Sequence, residues 1–176
     1  MPTLETARLL LRPPIAEDFD AWADFCADEE VSRYLGGALD RASAWRNMCT
    51  MTGAWAVRGF SVFSVIEKSS GRWIGRVGPW QPEGWPGTEV AYSLARKAWG
   101  KGYAREATSA AVDWAFKHLA WREVIHCIHP KNERSQQVAT RLGSRILRQA
   151  RLPPPLDVEV DIWGQTRSEW LARNPD

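Results

Sequence analysis

The chain has 176 residues, of which 44% are hydrophobic and 25% charged, and its formal net charge is +2. This length and composition predict one globular domain over residues 1–176. Acidic and basic residues are interspersed, which argues against nucleic acid or an anionic membrane as the main partner. The chain has no apolar run long enough to span a membrane and no signal-peptide pattern at its start, so we expect a cytoplasmic protein.

The cysteines and tryptophans add two expectations. Cys26, Cys49 and Cys127 are odd in number and too widely separated for a metal-binding pair, so we expect reduced thiols and no metal. The chain has 11 tryptophans, and we expect most of them to pack in the core or to line a pocket.

The first half of the chain predicts a strand, two helices and three more strands. The first strand covers residues 4–12 and ends at two prolines, which cannot continue a ladder. Apolar residues at helical spacing between Ile15 and Cys26 predict the first helix, and Asp40 is the predicted N-cap of the second. The apolar period then changes to two, which predicts strands over 60–67, 72–80 and 88–96, with a proline- and glycine-rich loop at 81–87.

The second half predicts two more helices and three more strands. A turn at 99–103 leads into a long helix, whose alanine-rich stripe suits close packing on a sheet. A short helix over 132–142 ends at Gly143. The remaining elements are strands over 122–129, 144–149 and 156–164, and a helical turn over 168–173. Together these elements predict an α/β fold with a mixed, largely antiparallel central sheet of about seven strands and about four flanking helices.

The stretch from Tyr92 to Ala107 carries the main functional signal. Gly100 and Gly102 bracket Lys101 where a strand passes into a helix, so backbone N–H groups and the positive end of the helix dipole meet at one place. Helix starts of this kind bind anions, although glycine also occurs at such turns for conformational reasons alone. The spacing fits neither the dinucleotide-binding motif nor the P-loop.

The chain resembles the GCN5-related N-acetyltransferase (GNAT) family. Lys97, Gly100 and Gly102 stand at the positions of its acyl-CoA signature, which has Arg or Gln, then Gly, then Gly or Ala. The run WGKGYAREA resembles the branch related to ribosomal-protein alanine acetyltransferases. Other segments match that branch in order over nearly the whole chain: LETARLLLRP, EVAYSL, Asn132 with Ser135, Leu142 with Gly143, and residues 168–170.

The resemblance implies that acetyl-CoA is the cofactor, bound where the strand over 88–96 splays from its neighbour. It implies that pantetheine pairs with the backbone of Ser93 to Arg96, and that an N–H near Leu94 or Ala95 holds the thioester carbonyl and its oxyanion. The pyrophosphate would rest on the N–H groups of the turn and helix start. The implied contacts are therefore Ser93, Leu94, Ala95, Arg96, Lys97, Trp99, Gly100, Lys101, Gly102, Tyr103, Ala104, Asn132 and Ser135.

Two side chains are candidates for the chemistry. Glu89 is the predicted general base, acting directly or through water, because strand alternation puts it on the same face as Ala91 and Ser93. Its alternative role is a cross-strand ion pair on the sheet surface. The resemblance implies that Ser135 hydrogen-bonds the thiol sulfur, whereas the alternative is that Asn132 and Ser135 only form a helix start.

Three departures from the family pattern stand out. Lys97 replaces the Arg or Gln of the signature. No tyrosine follows the short helix, which excludes a tyrosine acid there and leaves Ser135 or solvent. Ser144 stands where an aromatic residue is usual, so the resemblance does not give the packing behind the short helix.

The predicted function is transfer of acetyl from acetyl-CoA to a primary amine, either a protein N-terminal α-amine or a small-molecule amine. One rival is a non-catalytic acyl-CoA-binding regulatory module, and another is a tryptophan-rich protein-binding domain without cofactor. The acidic run Asp28–Glu30 either attracts a cationic amine or is a solvated helix end. The final strand offers a surface for a homodimer. Candidate lining of the acceptor cleft is Tyr34, Trp80, Trp85 and Trp99.

Overall fold

The computed structural model describes residues 2–174; Met1, Pro175 and Asp176, which the single-domain prediction includes, lie outside the described residues. The strands are β1 (Leu4–Glu5), β2 (Leu9–Arg12), β3 (Phe63–Glu67), β4 (Arg72–Trp80), β5 (Glu89–Leu94), β6 (Glu123–Ile128), β7 (Arg145–Arg151) and β8 (Glu159–Thr166). The helices are α1 (Phe19–Ala27), α2 (Glu29–Ser32), α3 (Arg41–Arg58), α4 (Tyr103–His118), α5 (Glu133–Leu142) and α6 (Arg167–Arg173).

The eight strands form one sheet in the order β1-β2-β3-β4-β5-β6-β8-β7. Every neighbouring pair is antiparallel except β5 and β6, so the predicted mixed, largely antiparallel sheet is confirmed. There are eight strands rather than about seven because residues 4–12 fold back as a hairpin. Thr6 makes that turn: its Oγ1 accepts the N–H of Leu9 at 3.0 Å and donates to Glu106 Oε1 at 2.6 Å.

Several predicted helix boundaries are confirmed, and one helix was not predicted. Asp40 caps α3 by accepting the N–H of Ser43 at 2.6 Å, and Gly143 ends α5 in the left-handed conformation with φ 87°. The short helix α2 was missed because only four residues form it. Its N-cap, Asp28, accepts the N–H of Glu30 at 3.0 Å.

The core lies on both faces of the sheet. On one face the small side chains of Ala107, Ala111 and Ala115 are fully buried, which lets α4 lie close to the strands as predicted. On the other face α1 and α3 bury a second cluster that includes Trp22 and Met48. The close packing of helices on both faces fixes the position of the central strands, and these strands carry the site.

Gly75 allows β4 to approach the end of β5. Its φ is 152°, and a Cβ atom there would lie 2.5 Å from the carbonyl oxygen of Ser93 and 2.8 Å from the Cα atom of Leu94. No side chain fits that space, because both contacts are with backbone atoms. The glycine therefore sets the path of the strand end that leads to the predicted cofactor turn.

The predicted dimer surface needs a correction. The final strand, β8, lies inside the sheet between β6 and β7, so the free edge at that end belongs to β7. A homodimer at this end would therefore use β7, and its existence stays a prediction. Within residues 2–174 no helix combines the length and apolar character needed to cross a membrane.

Candidate active site

The site begins where β5 and β6 separate. These two strands pair at one register position, Glu89 opposite Ile125. The N–H of Ile125 donates to the carbonyl of Thr88 at 3.0 Å. In a continuing parallel ladder, the next bond would join the N–H of Cys127 to the carbonyl of Val90. That bond is not made, so the predicted splay of β5 is confirmed.

Two side chains form hydrogen bonds with the backbone groups that the interrupted ladder leaves unpaired. Oε1 of Glu89 accepts the N–H of Cys127 at 2.8 Å, and Nδ1 of His126 lies 2.7 Å from the carbonyl oxygen of Val90. A carbonyl only accepts, so Nδ1 of His126 carries the hydrogen. Burial lowers the pKa of His126 to about 4, and the imidazole is therefore neutral. Its Nε2 atom is buried and has no partner among the described residues.

Glu89 is nearly buried, with 5% of its surface exposed. Its second oxygen, Oε2, accepts the indole N–H of Trp85 at 2.6 Å. Burial raises the pKa of Glu89 to about 7, although both hydrogen bonds oppose that shift. None of the described cationic side chains forms a salt bridge with Glu89, so the alternative of a surface ion pair is wrong. A carboxyl group with this pKa is suited to accept a proton near neutral pH.

A cleft of about 740 Å³ opens beside the separated strands, between β5, the start of α4 and α5. Glu89 does not line it, whereas Ser93 on the same face of β5 does. The cleft brings together nine of the predicted cofactor contacts: Ser93, Leu94, Trp99, Gly100, Gly102, Tyr103, Ala104, Asn132 and Ser135.

Four predicted contacts lie outside the cleft lining. The N–H of Ala95 donates to the carbonyl of Ile74 at 2.8 Å, which removes it as a thioester donor. Because N–H directions alternate along an antiparallel strand, the N–H of Leu94 points the other way, towards the gap. Arg96 pairs with Asp28, while Lys97 and Lys101 are exposed. The Lys97 departure therefore concerns a side chain outside the cleft.

The glycine turn leaves backbone donors free. Gly100 and Gly102 have φ of 74° and 80°, in the left-handed region that favours glycine. Gly102 is the N-cap of α4, and no side chain of the described residues caps the helix start. Nη1 of Arg8 fixes the turn by donating to the carbonyl of Lys101 at 2.9 Å. The uncapped N–H groups and the helix dipole therefore suit an anionic group.

The start of α5 forms the opposite wall. Oδ1 of Asn132 accepts the N–H of Ser135 at 3.2 Å, so the predicted helix-capping role of Asn132 is observed. Ser135 lines the cleft, and its hydroxyl has no hydrogen-bond partner within residues 2–174. The sequence interpretation missed Tyr92, whose hydroxyl donates to the carbonyl of Ser135 at 2.7 Å. Strand alternation could have indicated this, because Tyr92 lies on the face opposite Glu89.

Aromatic residues form the outer rim. The hydroxyl of Tyr34 donates to the carbonyl of Lys131 at 3.1 Å, and the guanidinium of Arg134 lies 4.1 Å from the ring centre of Trp99. Tyr34 and Trp99 line the same cleft as the predicted cofactor contacts, whereas Trp80 packs against the cluster under α1. Their place in an acceptor cleft stays a prediction.

The acidic run has structural partners. Asp28 caps α2 and pairs with Arg96, and Glu30 pairs with Arg96 and Arg134. These contacts favour the helix-end interpretation over attraction of a cationic amine. Ser144 is buried behind α5 and accepts the side-chain N–H of Gln165 at 3.0 Å. A polar contact thus occupies the place where the family usually has an aromatic residue.

Residues 8–145 match the family model described as an acetyltransferase (GNAT) domain. The chain belongs to the GNAT acetyltransferase family. This GNAT chain is 32% identical over 146 residues to an uncharacterized N-acetyltransferase, p20, of Bacillus licheniformis, over 81% of this chain and 82% of the relative.

Two further GNAT comparisons extend over most of the chain. It is 29% identical over 188 residues to the FsC-acetyl coenzyme A-N(2)-transacetylase of Aspergillus fumigatus, over 97% of this chain and 78% of that protein. The crystal structure of an acetyltransferase from Agrobacterium tumefaciens str. C58 superposes with a TM-score of 0.83 at 32% identity, over 95% of both chains. The family resemblance is therefore confirmed.

Proposed function

We propose that this GNAT protein transfers an acetyl group from acetyl-CoA to a primary amine by direct attack. The observation that carries the proposal is the gap between β5 and β6. It opens on a cleft of about 740 Å³ that ends at the uncapped start of α4. Such a cleft offers backbone donors along its length and an anion site at one end.

The residues of the cleft fit acetyl-CoA. Within residues 2–174, the N–H groups of residues 100–104 are free for a diphosphate, whereas the N–H of Trp99 donates to the carbonyl of Arg96 at 3.1 Å. The exposed guanidinium groups of Arg105 and Arg141 add positive charge at the same wall. The name of the Aspergillus relative refers to acetyl coenzyme A, which supports the same donor here. Bound acetyl-CoA supplies the acetyl group as an activated thioester.

Three groups of the chain are assigned to the transfer. The N–H of Leu94 points towards the gap and donates to the thioester carbonyl. The carboxylate of Glu89 takes the proton of the attacking amine, directly or through water, because its pKa of about 7 matches neutral pH. The hydroxyl of Ser135, which has no other partner among the described residues, donates to the sulfur as it leaves.

The proposed acceptor is an α-amine or a small-molecule amine of similar basicity. An α-amino group has a pKa of about 7.7–8.0 and a lysine side chain about 10.4. Deprotonating lysine at neutral pH therefore costs about 3.5 kcal/mol more than deprotonating an α-amine. A single base such as Glu89 offsets the smaller cost more readily. The resemblance to the ribosomal-protein alanine acetyltransferase branch supports the same acceptor class.

A thermal-shift experiment tests the cofactor assignment. Acetyl-CoA and CoA should raise the melting temperature, whereas ATP should not, and a ligand at about 100 times its Kd adds about 2.7 kcal/mol of stability. Gly102→Asp places a carboxylate at the anion site and should abolish the shift. If neither coenzyme form shifts the wild type, the protein-binding alternative replaces the acyltransferase. Wild-type binding without acetylation of any amine in a panel would favour the regulatory module.

A further inference from the structure

A second, smaller pocket lies next to the cleft, where α4, α5 and α6 meet. Its volume is about 110 Å³, and its lining is mostly polar. Arg105 and Ser109 come from α4, Arg141 comes from α5, and Arg173 comes from α6. We call this group the arginine pocket. It joins three elements that are far apart in sequence around one small space.

The charge of the arginine pocket is unbalanced. Three guanidinium groups line it, and its lining contains no carboxylate. Within residues 2–174 none of the three arginines forms a salt bridge, whereas Arg8 and Arg134 nearby both do. Nη1 of Arg173 instead donates to the carbonyl of Gly143 at 2.6 Å and to Oε1 of Gln165 at 3.2 Å.

Such an arrangement favours an anionic ligand. Like charges that converge without a counter-ion repel one another. An anion placed between the guanidinium groups attracts each of them, and this attraction offsets the repulsion. Guanidinium groups bind phosphate with paired, charge-assisted hydrogen bonds. The hydroxyl of Ser109 and the side-chain amide of Asn174 add neutral donors to the lining. The chemistry of the pocket is therefore that of a phosphate monoester site.

The arginine pocket is continuous with the cofactor cleft. Arg105 and Arg141 line both spaces. Arg105 directly follows the proposed diphosphate turn, and Ser109 lies four residues further along α4, about 6 Å along the helix axis. A ligand with a diphosphate at the turn and a second phosphate close by would therefore fill both places. Coenzyme A has this chemistry, because its ribose carries a 3′-phosphate beside the diphosphate.

We propose that Arg105, Arg141 and Arg173 form a phosphate monoester site and that the 3′-phosphate of coenzyme A fills it. This assignment rests on the proposed function, since it requires coenzyme A in the cleft. It gives α6, which lies outside the matched family region 8–145, a direct role in cofactor selection. The other source of the same chemistry is free phosphate, which would bind without the coenzyme.

Calorimetric titration with coenzyme A and with 3′-dephospho-coenzyme A tests the assignment. The wild type should bind coenzyme A about tenfold or more tightly than the dephospho form, because charge-assisted hydrogen bonds are lost. The double variant Arg141→Gln/Arg173→Gln, which keeps only Arg105 of the three, should lose most of this preference for coenzyme A. Arg167→Gln is the matched control, because it removes one exposed charge from α6 outside the pocket and should keep the wild-type ratio.

The outcomes separate this assignment from the proposed function. Equal wild-type Kd values for the two coenzymes would overturn the 3′-phosphate site and leave the proposed function standing. Failure of both coenzymes to bind would overturn both. Binding of inorganic phosphate by the wild type but not by the double variant, with equal coenzyme Kd values, would assign the pocket to free phosphate. Loss of the Arg173 contacts could prevent the double variant from folding. The single variant Arg141→Gln avoids this, because the guanidinium of Arg141 has no hydrogen bond within residues 2–174. It should still reduce the ratio of the Kd values for the dephospho form and coenzyme A.

Discussion

The carboxylate of Glu89 lies 2.8 Å from the backbone nitrogen of Cys127, at the point where β5 and β6 stop pairing. The proposed base therefore also replaces a lost ladder bond. Two donors, the N–H of Cys127 and the indole N–H of Trp85, converge on this carboxylate, and burial raises its pKa to about 7 despite them. The proposed proton transfer and the opening of the strands thus involve the same side chain.

The first prediction concerns activity against pH. If Glu89 accepts the proton of the amine, kcat/KM should rise as the carboxyl ionises, with a midpoint near pH 7, and level off about one pH unit higher. Glu89→Gln should lower kcat by about 100-fold or more and remove that step. Initial rates at saturating acetyl-CoA measure both effects. Glu123→Gln, an exposed change on β6, is the control, and an unchanged rate in Glu89→Gln would assign deprotonation to solvent.

The second prediction concerns stability against pH. The unfolded chain loses the Glu89 proton near pH 4.5, whereas the folded protein holds it to about pH 7. The folded state therefore binds more protons between these values, and the contribution of Glu89 to stability falls across that window by about 3 kcal/mol. Above about pH 8, where the folded protein has also lost this proton, the contribution no longer changes.

Urea unfolding of the wild type and of Glu89→Gln at about pH 5 and about pH 8 measures the effect. The difference in unfolding free energy between the two proteins should shift by about 3 kcal/mol in favour of the variant at the higher pH. Glutamine offers one acceptor to two donors, so the variant carries a further cost at both pH values, which cancels in this comparison. A difference that does not vary with pH would contradict the raised pKa.

The third prediction concerns His126, which satisfies the carbonyl of Val90 at the same junction. His126→Phe leaves that buried carbonyl without its donor, so the protein should lose about 1–3 kcal/mol of stability. Closure of β5 on β6 is the remaining way to pair the carbonyl, and it would narrow the gap. The Kd for acetyl-CoA should therefore rise, and His126→Asn, which retains a side-chain donor, should partly restore it.

The control for this experiment is His118→Phe, an exposed change on α4. It should alter neither stability nor cofactor binding. Equal Kd values for His126→Phe and the wild type would show that the gap does not depend on the imidazole.

Local signals predicted the parts of the fold that depend on neighbouring residues. The cap at Asp40, the left-handed turn at Gly143 and the glycines before α4 each follow from conformational preferences of a few residues. The hairpin at the start did not, because the turn at Thr6 depends on a hydrogen bond to Glu106, a hundred residues away. Hydrophobic periodicity and motif spacing carry no information about contacts between residues so far apart in the sequence.

The candidate site divides in the same way. The alternation of apolar residues predicted the strand that carries Glu89. It could not predict that Glu89 is buried, because its contact with Trp85 depends on how the loop over 81–87 folds. The choice between Leu94 and Ala95 as donor required the register of β4 against β5. The arginine pocket joins three helices, and no motif in the sequence links its members.

The last prediction separates the structural and chemical roles at the start of α5. Asn132→Ala removes the cap on the N–H of Ser135 and should cost about 1 kcal/mol of stability, whereas Asn132→Asp should retain it. Ser135→Ala removes a hydroxyl that has no partner within residues 2–174, so stability should change by less than about 0.5 kcal/mol. Its kcat should nevertheless fall by about tenfold or more if the hydroxyl donates a hydrogen bond to the departing sulfur and so stabilises the thiolate. Urea unfolding gives the stability, and initial rates at saturating substrate give kcat. Full activity in Ser135→Ala would show that this segment is only a helix start and that solvent alone stabilises the thiolate.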